Sequence, residues 1–300
     1  MTITNKLDLP SGFVKAVSTE KHNAALCLSA TTLLRGMKEI ILTDRHWDEL
    51  ADDVSDRIWA IWGQAVHSLL ESEGEDDFTE QEMSHKIGDI TITGKIDNYD
   101  MKHAVISDYK TASVNKVKFG DFSDWHMQGM IYAWLLSHSN FPVKHCRFIA
   151  LLKDHSKTEM MKDHQYPRQP VYVYDFPVTQ EGLFKTGIFI RKKAEEYLEY
   201  RNSSDDAIPP CSPEERWERP AKFAVMKSGQ KRAVRLFDDR QSAELFADGK
   251  GGEHYIEDRP GESIKCRGYC LCNNFCNFYR QNVSPSSQAA FESTEEKAAA

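Results

Sequence analysis

The sequence predicts an α/β fold: a mixed central sheet flanked by helices, with a smaller cysteine-rich unit toward the C-terminal end. Three observations predict it. The segments that read as helices and strands run in the order helix–strands–helix–strand–strand–helix, which suits a mixed sheet covered by helices. Gly94 to Lys110, GKIDNYDMKHAVISDYK, reads as two strands joined by a polar turn. Four cysteines fall within the eleven residues Cys266 to Cys276, CRGYCLCNNFC.

Taken in order, residues 1–28 carry no clear pattern. Ser29 is a good cap for a short helix from Ala30 to Met37. Ile40, Ile41 and Leu42 form a small apolar run. A long helix is expected over Trp47 to Ser72, with the stripe Leu50, Val54, Ile58, Ile61, Ala65 and Leu69 at helical spacing. His67 flanks that stripe, and Gly63 one turn earlier leaves room for close approach. Two readings of His67 are open: a satisfied helix histidine or a site residue. Glu82 is open in the same way, between an exposed charge and an acidic ligand. Strands are expected over Glu82–Lys86 and Asp89–Ile92, then in the hairpin. A polar linker, Thr111 to Gly120, carries Lys116 and Lys118, which suit either phosphate contact or plain solvation. A helix follows from Asp121 to His138, on which Gln128 and Tyr132 share a face. Lys144–Leu152 and Gln169–Phe176 read as strands, and Val178 to Tyr200 as an amphipathic helix with Leu183, Ile188, Ala194 and Leu198.

The linker Asn202–Pro213 separates this body from a compact unit. There, Lys222–Met226 and Lys231–Leu236 look like a hairpin around Ser228–Gly229. Arg240 to Ala247 reads as a helix, and His254–Ile256 as a strand. Lys222, Lys227, Lys231, Arg232 and Arg235 form a basic face. The organisation expected is a core over 1–200, a small α+β insertion and cysteine-rich unit over 201–283, and a disordered tail over 284–300.

The chain of 300 residues carries a net charge of −8 and a hydrophobic fraction of 40%. Residues 71–82 hold seven acids and no Lys or Arg, and the last ten residues hold three acids and one Lys. Outside those stretches the chain is within one charge of neutral. That argues against tight non-specific coating of DNA but leaves room for a local basic cleft. No apolar run approaches membrane-spanning length, and MTITNKLDLPSG lacks the apolar block of a secretory signal. A cytoplasmic protein without membrane contact is expected.

The hairpin carries the chemistry. Side chains alternate along a strand, so Asp108 and Lys110 share a face, and an even-offset pairing sets Asp97 beside Asp108. Two close carboxylates repel and raise one another's pKa. A divalent cation removes that penalty, and oxygen ligands of this kind suit Mg²⁺ or Mn²⁺.

D-(x)10-D-x-K after a G-x-I-D strand resembles the PD-(D/E)XK nuclease signature in its RecB-like branch. Gly63-Gln64-Ala65-Val66-His67 resembles that branch's G-x-x-x-H helix. Gln128-Gly129-Met130-Ile131-Tyr132 resembles its Q-x-x-x-Y helix. D-x-K alone occurs by chance in many proteins, whereas four elements in this order make a specific match. The resemblance implies a restriction-endonuclease-like fold and a metal-dependent DNA nuclease, expected as an exonuclease in recombination, replication or repair, in a setting such as a phage. It implies Asp97, Asp108 and the carbonyl of Tyr109 as metal ligands and His67 at a second metal position. It gives Lys110 the task of orienting water, and aims Gln128 and Tyr132 at the active site and DNA. The substrate implied is single-stranded DNA or DNA ends. The chain shows no helicase P-loop, so unwinding would fall to a helicase or recombination partner. Two other functions stay open: a catalytically silent nuclease-fold module that binds DNA, and a zinc-stapled interaction protein whose hairpin charges form surface pairs.

Thiols as close as those of 266–276 point to a soft metal, either zinc or an iron–sulfur cluster. The C-x3-C-x5-C subset, Cys266, Cys270 and Cys276, is similar to the terminal cysteines of phage and CRISPR-associated iron–sulfur exonucleases, which implies a [4Fe–4S] cluster, with Zn²⁺ as the alternative. In that group a fourth cysteine lies upstream after the first helix, where this chain has none. Cys211, beside Pro209-Pro210, is the distant candidate, and Cys272 the competing one.

Overall fold

A computed structural model describes residues 1–18, 26–71 and 78–284. All but the first residue of the tail expected over 284–300, and residues 72–77 of the acidic stretch 71–82, lie outside the described residues. The chain divides into two compact units, Met1–Ser203 and Ser204 onward.

The first unit opens with strand β1 (Thr2–Thr4), helix α1 (Ser11–Val17), strand β2 (Cys27–Ser29), helices α2 (Ala30–Leu33) and α3 (Met37–Arg45), and strand β3 (Ala51–Asp53). It continues with α4 (Ile58–Glu71), β4 (Phe78–Ile87), β5 (Ile90–Asp100), β6 (Val105–Ala112), α5 (Val114–Phe119) and α6 (Ser123–His138). β7 (His145–Leu152), α7 (Lys157–Lys162), β8 (Val171–Pro177) and α8 (Gln180–Tyr200) complete it. The sheet is mixed and flanked by helices, and β5 is its axis. One edge of β5 pairs antiparallel with β4, from Phe78↔Tyr99 to Ile87↔Ile90. The tight turn between them uses Gly88 at φ +57°, a left-handed conformation that glycine adopts without strain. The other edge is shared. β2 pairs parallel along Thr91–Thr93, and β6 takes over antiparallel along Asn98–Asp100. β7 lies parallel to β6, and β8 antiparallel to β7.

Ile92, Ile96, Ile106, Phe148, Ile131, Leu135 and Ile190 form the buried interior between sheet and helices. Helix α6 is buried nearly all round, from Trp125 to Leu136. That burial depends on Gly94. A Cβ there would meet Leu135 Cδ1 at 2.8 Å and the Tyr132 ring at 3.0 Å. Gly94→Val is therefore expected to cost about 1–3 kcal/mol through overpacking. A thermal melt equal to wild type would contradict this packing.

Several expected elements differ. The helix placed at Ala30–Met37 breaks after Leu33, and Ser29 caps only the first piece, its Oγ accepting the Thr32 N–H at 3.1 Å. Gly36, extended at ψ 143°, starts α3, so the run Ile40–Leu42 is buried helix. The helix expected from Trp47 starts only at Ile58. Asp53 Oδ1 accepts the Ser55 N–H at 3.1 Å and caps a 3-10 turn there. Leu50 and Val54 are buried ahead of the helix, while Ala65 and Leu69 face solvent. The polar linker Thr111–Gly120 instead extends β6 and folds as α5, whose Val114 is buried. On α8, Ile188 and Leu198 are exposed, and Thr186, Ile190, Lys193, Ala194 and Tyr197 form the inner face.

In the second unit, β9 (Glu218–Arg219), β10 (Lys222–Lys227), β11 (Arg235–Phe237), α9 (Arg240–Asp248), β12 (His254–Arg259), β13 (Glu262–Ser263), α10 (Ile264–Gly268) and α11 (Asn277–Asn282) follow. The order β11-β10-β12 makes an antiparallel sheet against α9, around Val225, Ala243 and Ala247. The strand expected over Lys231–Leu236 is confined to Arg235–Phe237, because the turn through Gly229 takes up the residues before it. Among the described residues, no helix is long and apolar enough to cross a membrane.

Candidate active site

The β5–β6 register pairs Asn98 with Ser107, which sets Asp97 and Asp108 against each other one step further along. Asp97 stands where β5 exchanges β2 for β6. Its Oδ2 accepts the Tyr109 N–H at 2.8 Å, and its Oδ1 lies 3.2 Å from His67 Nδ1 on α4. The His67 ring also meets Tyr109 edge-on, with centroids 6.4 Å apart. Asp108 is buried on the α6 side of β6. Gln128 Nε2 donates to Asp108 Oδ2 at 3.4 Å and to Tyr132 Oη at 2.8 Å. Lys110 Nζ lies 2.6 Å from Asp108 Oδ1 and 5.5 Å from the centre of the Phe148 ring. The structure thus gathers His67, Asp97, Asp108, Tyr109, Lys110, Gln128 and Tyr132.

Burial pushes the Asp108 carboxyl well above the usual carboxylate range; the Lys110 ammonium opposes this and the Asp97 charge adds to it. The Asp97 carboxylate, by hydrogen bonding, holds the His67 imidazolium above its ordinary pKa, against the effect of burial. Burial, and then the Asp108 charge, raise the Tyr132 hydroxyl, so it stays protonated while it accepts from Gln128. Asp108 Oδ1 has no hydrogen-bond partner despite the close lysine. A carboxylate oxygen has two lone pairs, so beside the Lys110 ion pair a buried one is left for another electrophile.

Among the described residues, no group of three or more His, Cys, Asp or Glu side chains stands ready to enclose a metal. Mg²⁺ does not need such a cage. It keeps several waters and binds through one or two carboxylates. The orphaned Asp108 oxygen beside Asp97 fits that mode.

Cys211, Cys270 and Cys276 all stand near enough to act on Cys266. The Cys266 thiol is pushed up to about 12, first by burial, then by Cys270, Cys211 and Cys276. Cys272 is buried, with its Sγ 3.5 Å from that of Cys270. Lys116 and Lys118 are ion-paired with Asp124 and Asp163 at 2.7 and 2.6 Å. Glu82 is exposed and opposite Lys95 on the β4–β5 ladder. In the basic face, Lys222 pairs with Asp238, Lys227 with Glu253, and Arg235 lies over the Phe237 and Phe246 rings. A Cβ added at Gly63 would meet Thr111 Oγ1 at an ordinary 3.7 Å, so packing does not require glycine there. Sequence reasoning missed Phe148 beneath Lys110, which only the β6–β7 pairing reveals, and the packing need at Gly94, which stood in plain view before I-D.

The profile of the PD-(D/E)XK nuclease superfamily matches residues 14–277. The chain belongs to this superfamily. Solved structures add distant likenesses. A protein designated SSO0001 shares 18% identity over 64% of this superfamily member and 85% of its own chain, with a TM-score of 0.46. A phage-related exonuclease from Haemophilus somnus 129PT shares 11% over 57% and 92%, with a TM-score of 0.36. The alkaline exonuclease LHK-Exo from Laribacter hongkongensis shares 10% over 66% and 99%, with a TM-score of 0.35. No curated protein matches this nuclease-superfamily chain.

Proposed function

We propose that the protein is a divalent-metal-dependent deoxyribonuclease of the RecB-like branch, acting as an exonuclease on single strands or DNA ends in recombination, replication or repair. One observation carries this reading: two carboxylates, a lysine and a glutamine converge on a buried cluster in which one Asp108 oxygen has no hydrogen-bond partner. Asp97, Asp108 and the Tyr109 carbonyl would hold Mg²⁺ or Mn²⁺, with His67 beside them. When bound, such an ion polarises a phosphodiester and makes a water more acidic. Lys110 orients the attacking water and offsets charge developing on the phosphoryl oxygens. Gln128 uses its two amide hydrogens to hold the Asp108 carboxylate and the Tyr132 hydroxyl in place, which leaves its Oε1 to accept from a water. His67 steadies Asp97. Unwinding would come from a helicase or recombination partner.

The C-x3-C-x5-C spacing of Cys266, Cys270 and Cys276 supports a soft-metal site completed by Cys211, a [4Fe–4S] cluster first and Zn²⁺ second, although among the described residues these thiols are not gathered into a ready cage. Cys272 is the competing fourth ligand.

Digestion of end-labelled single- and double-stranded DNA with Mg²⁺ or Mn²⁺ tests the activity. Loss of label from an end is expected. DNA that is bound but uncut in both metals would replace the enzyme with a silent binding module.

A melting experiment checks the metal site. Both Asp108 and His67 have folded pKa values raised above the unfolded ones. Each therefore stabilises the metal-free fold at low pH and loses that contribution as pH rises through its raised value. A cation replaces the departing protons. Mn²⁺ at one fixed concentration, a hundredfold above its Kd at pH 8, should add about 2.7 kcal/mol there, or roughly 5–10 °C. The rise should be larger at pH 8 than at pH 5. An equal shift at both, or none, would count against the site.

A further inference from the structure

Helix α4 carries more than His67. Two of its tryptophans, Trp59 and Trp62, stand one turn apart and are 60% and 53% exposed. A tryptophan carries about 150–250 Å² of largely apolar surface, and a single exposed apolar side chain is ordinary. Two indoles on adjacent turns of a helix that also supplies a site residue are not explained by packing. A cation accompanies them: Lys153 Nζ lies 3.9 Å from the Trp59 ring centre.

The surroundings place this pair next to the chemistry. The Lys153 backbone N–H donates to the Ala112 carbonyl at 3.0 Å, at the end of β6 and two residues past Lys110. Gly63, between Trp62 and His67, lies against Thr111, the residue after Lys110. One line therefore runs from the Lys153–Trp59 pair, past Thr111, to Lys110 and Asp108. Along α4, Trp59 is about 12 Å from His67 at 1.5 Å per residue.

We propose that Trp59, Trp62 and Lys153 form a stacking platform that seats single-stranded DNA and delivers its backbone to the Asp97–Asp108–Lys110 cluster. The proposal rests on the nuclease reading and deepens it by naming single-stranded DNA as the substrate class. A duplex keeps its bases paired and stacked on one another, and offers a tryptophan no free base face. An unpaired strand exposes one at every nucleotide, whatever its sequence. Lys153 supplies the charge complement. The ammonium covers one side of Trp59 and can engage the phosphate of the nucleotide stacked on the other.

Binding without cleavage tests this, so that its failure and the failure of the nuclease reading can be told apart. Fluorescence anisotropy with a labelled oligothymidylate and a blunt duplex would be measured in EDTA. Wild type should bind the single strand more tightly than the duplex, with quenching of tryptophan emission. The Trp59→Ala/Trp62→Ala protein, shown folded by circular dichroism, should bind the single strand about 10- to 100-fold more weakly. Trp59→Phe/Trp62→Phe should recover most of the loss. Lys153→Ala should flatten the salt dependence by about 0.7 in log–log slope, the value for one phosphate on a single strand. Single-strand affinity unchanged in the double alanine variant, or a wild type that prefers the duplex, overturns the platform. A wild type that binds in this tryptophan-dependent way but cuts no DNA with Mg²⁺ or Mn²⁺ overturns the nuclease reading and leaves the platform standing.

Discussion

Asp108→Asn and Lys110→Met are each expected to lower Mn²⁺-dependent DNA cleavage by about 10²–10³-fold or more, the scale on which a single preorganised charge at a reacting centre contributes. The two variants should differ in stability, and that difference makes the test specific. Burial already disfavours the charged form of Asp108. The neutral amide of Asn removes that cost while keeping the shape, so Asp108→Asn should melt no lower than wild type in EDTA at pH 8. Lys110→Met leaves the Asp108 carboxylate buried without its close cation, and should melt lower in EDTA. Mn²⁺ should recover part of that loss in Lys110→Met and leave the melt of Asp108→Asn where it is in EDTA. End-labelled DNA digestion reads the first effect and differential scanning fluorimetry the second. Cleavage at the wild-type rate by either variant would remove the cluster from the chemistry.

The second large effect concerns the C-terminal thiols. A site that binds metal only when folded couples its binding free energy to folding, with apparent values of about 10–16 kcal/mol for structural zinc in small domains. Cys266→Ser removes the thiol that Cys211, Cys270 and Cys276 all influence. It should abolish bound metal, measured by elemental analysis together with broad visible absorbance, and open the chain beyond Ser204 to proteolysis. Iron with that absorbance identifies a cluster; zinc with a colourless protein identifies the alternative. Cys272→Ser separates the ligand sets, because retained metal keeps Cys211 as the distant ligand and lost metal transfers that role to Cys272. A wild type purified without either metal would end this assignment.

Much of the site was legible because its central residues are local. Asp97, Asp108 and Lys110 fall on one hairpin, and a period of two is enough to bring them together. Gln128 and Tyr132 share a helix face by spacing. His67 was legible through Gly63-x-x-x-His67 and not through periodicity: the apolar stripe drawn around it includes Leu50 and Val54, which precede the helix, and Ala65 and Leu69, which face water. Helical spacing identifies a stripe but does not reveal that Asp53 delays the start of α4. The run Ile40–Leu42 was too short to distinguish strand from buried helix. α5 was hidden because it is only six residues long, its one buried anchor, Val114, sits at the first position, and its Phe119 faces water. The exposure of Trp59 and Trp62 could not be read at all, since tryptophan in an amphipathic helix normally points inward.

The divided edge of β5 has a consequence for how the molecule comes into being. β4, β5 and β6 are consecutive and joined by short turns, so they can zip together by local contacts, which form fastest. β7 can join β6 only after the intervening chain has crossed over, because the two run parallel. The acids of β5 and β6 are therefore expected to meet in water, on a half-made sheet, before α6 packs, an order that pulse-labelled hydrogen exchange protecting α6 first would refute. Drying of those carboxylates belongs to the closing act of folding, so an immature chain holds its acid pair while still unable to desolvate it.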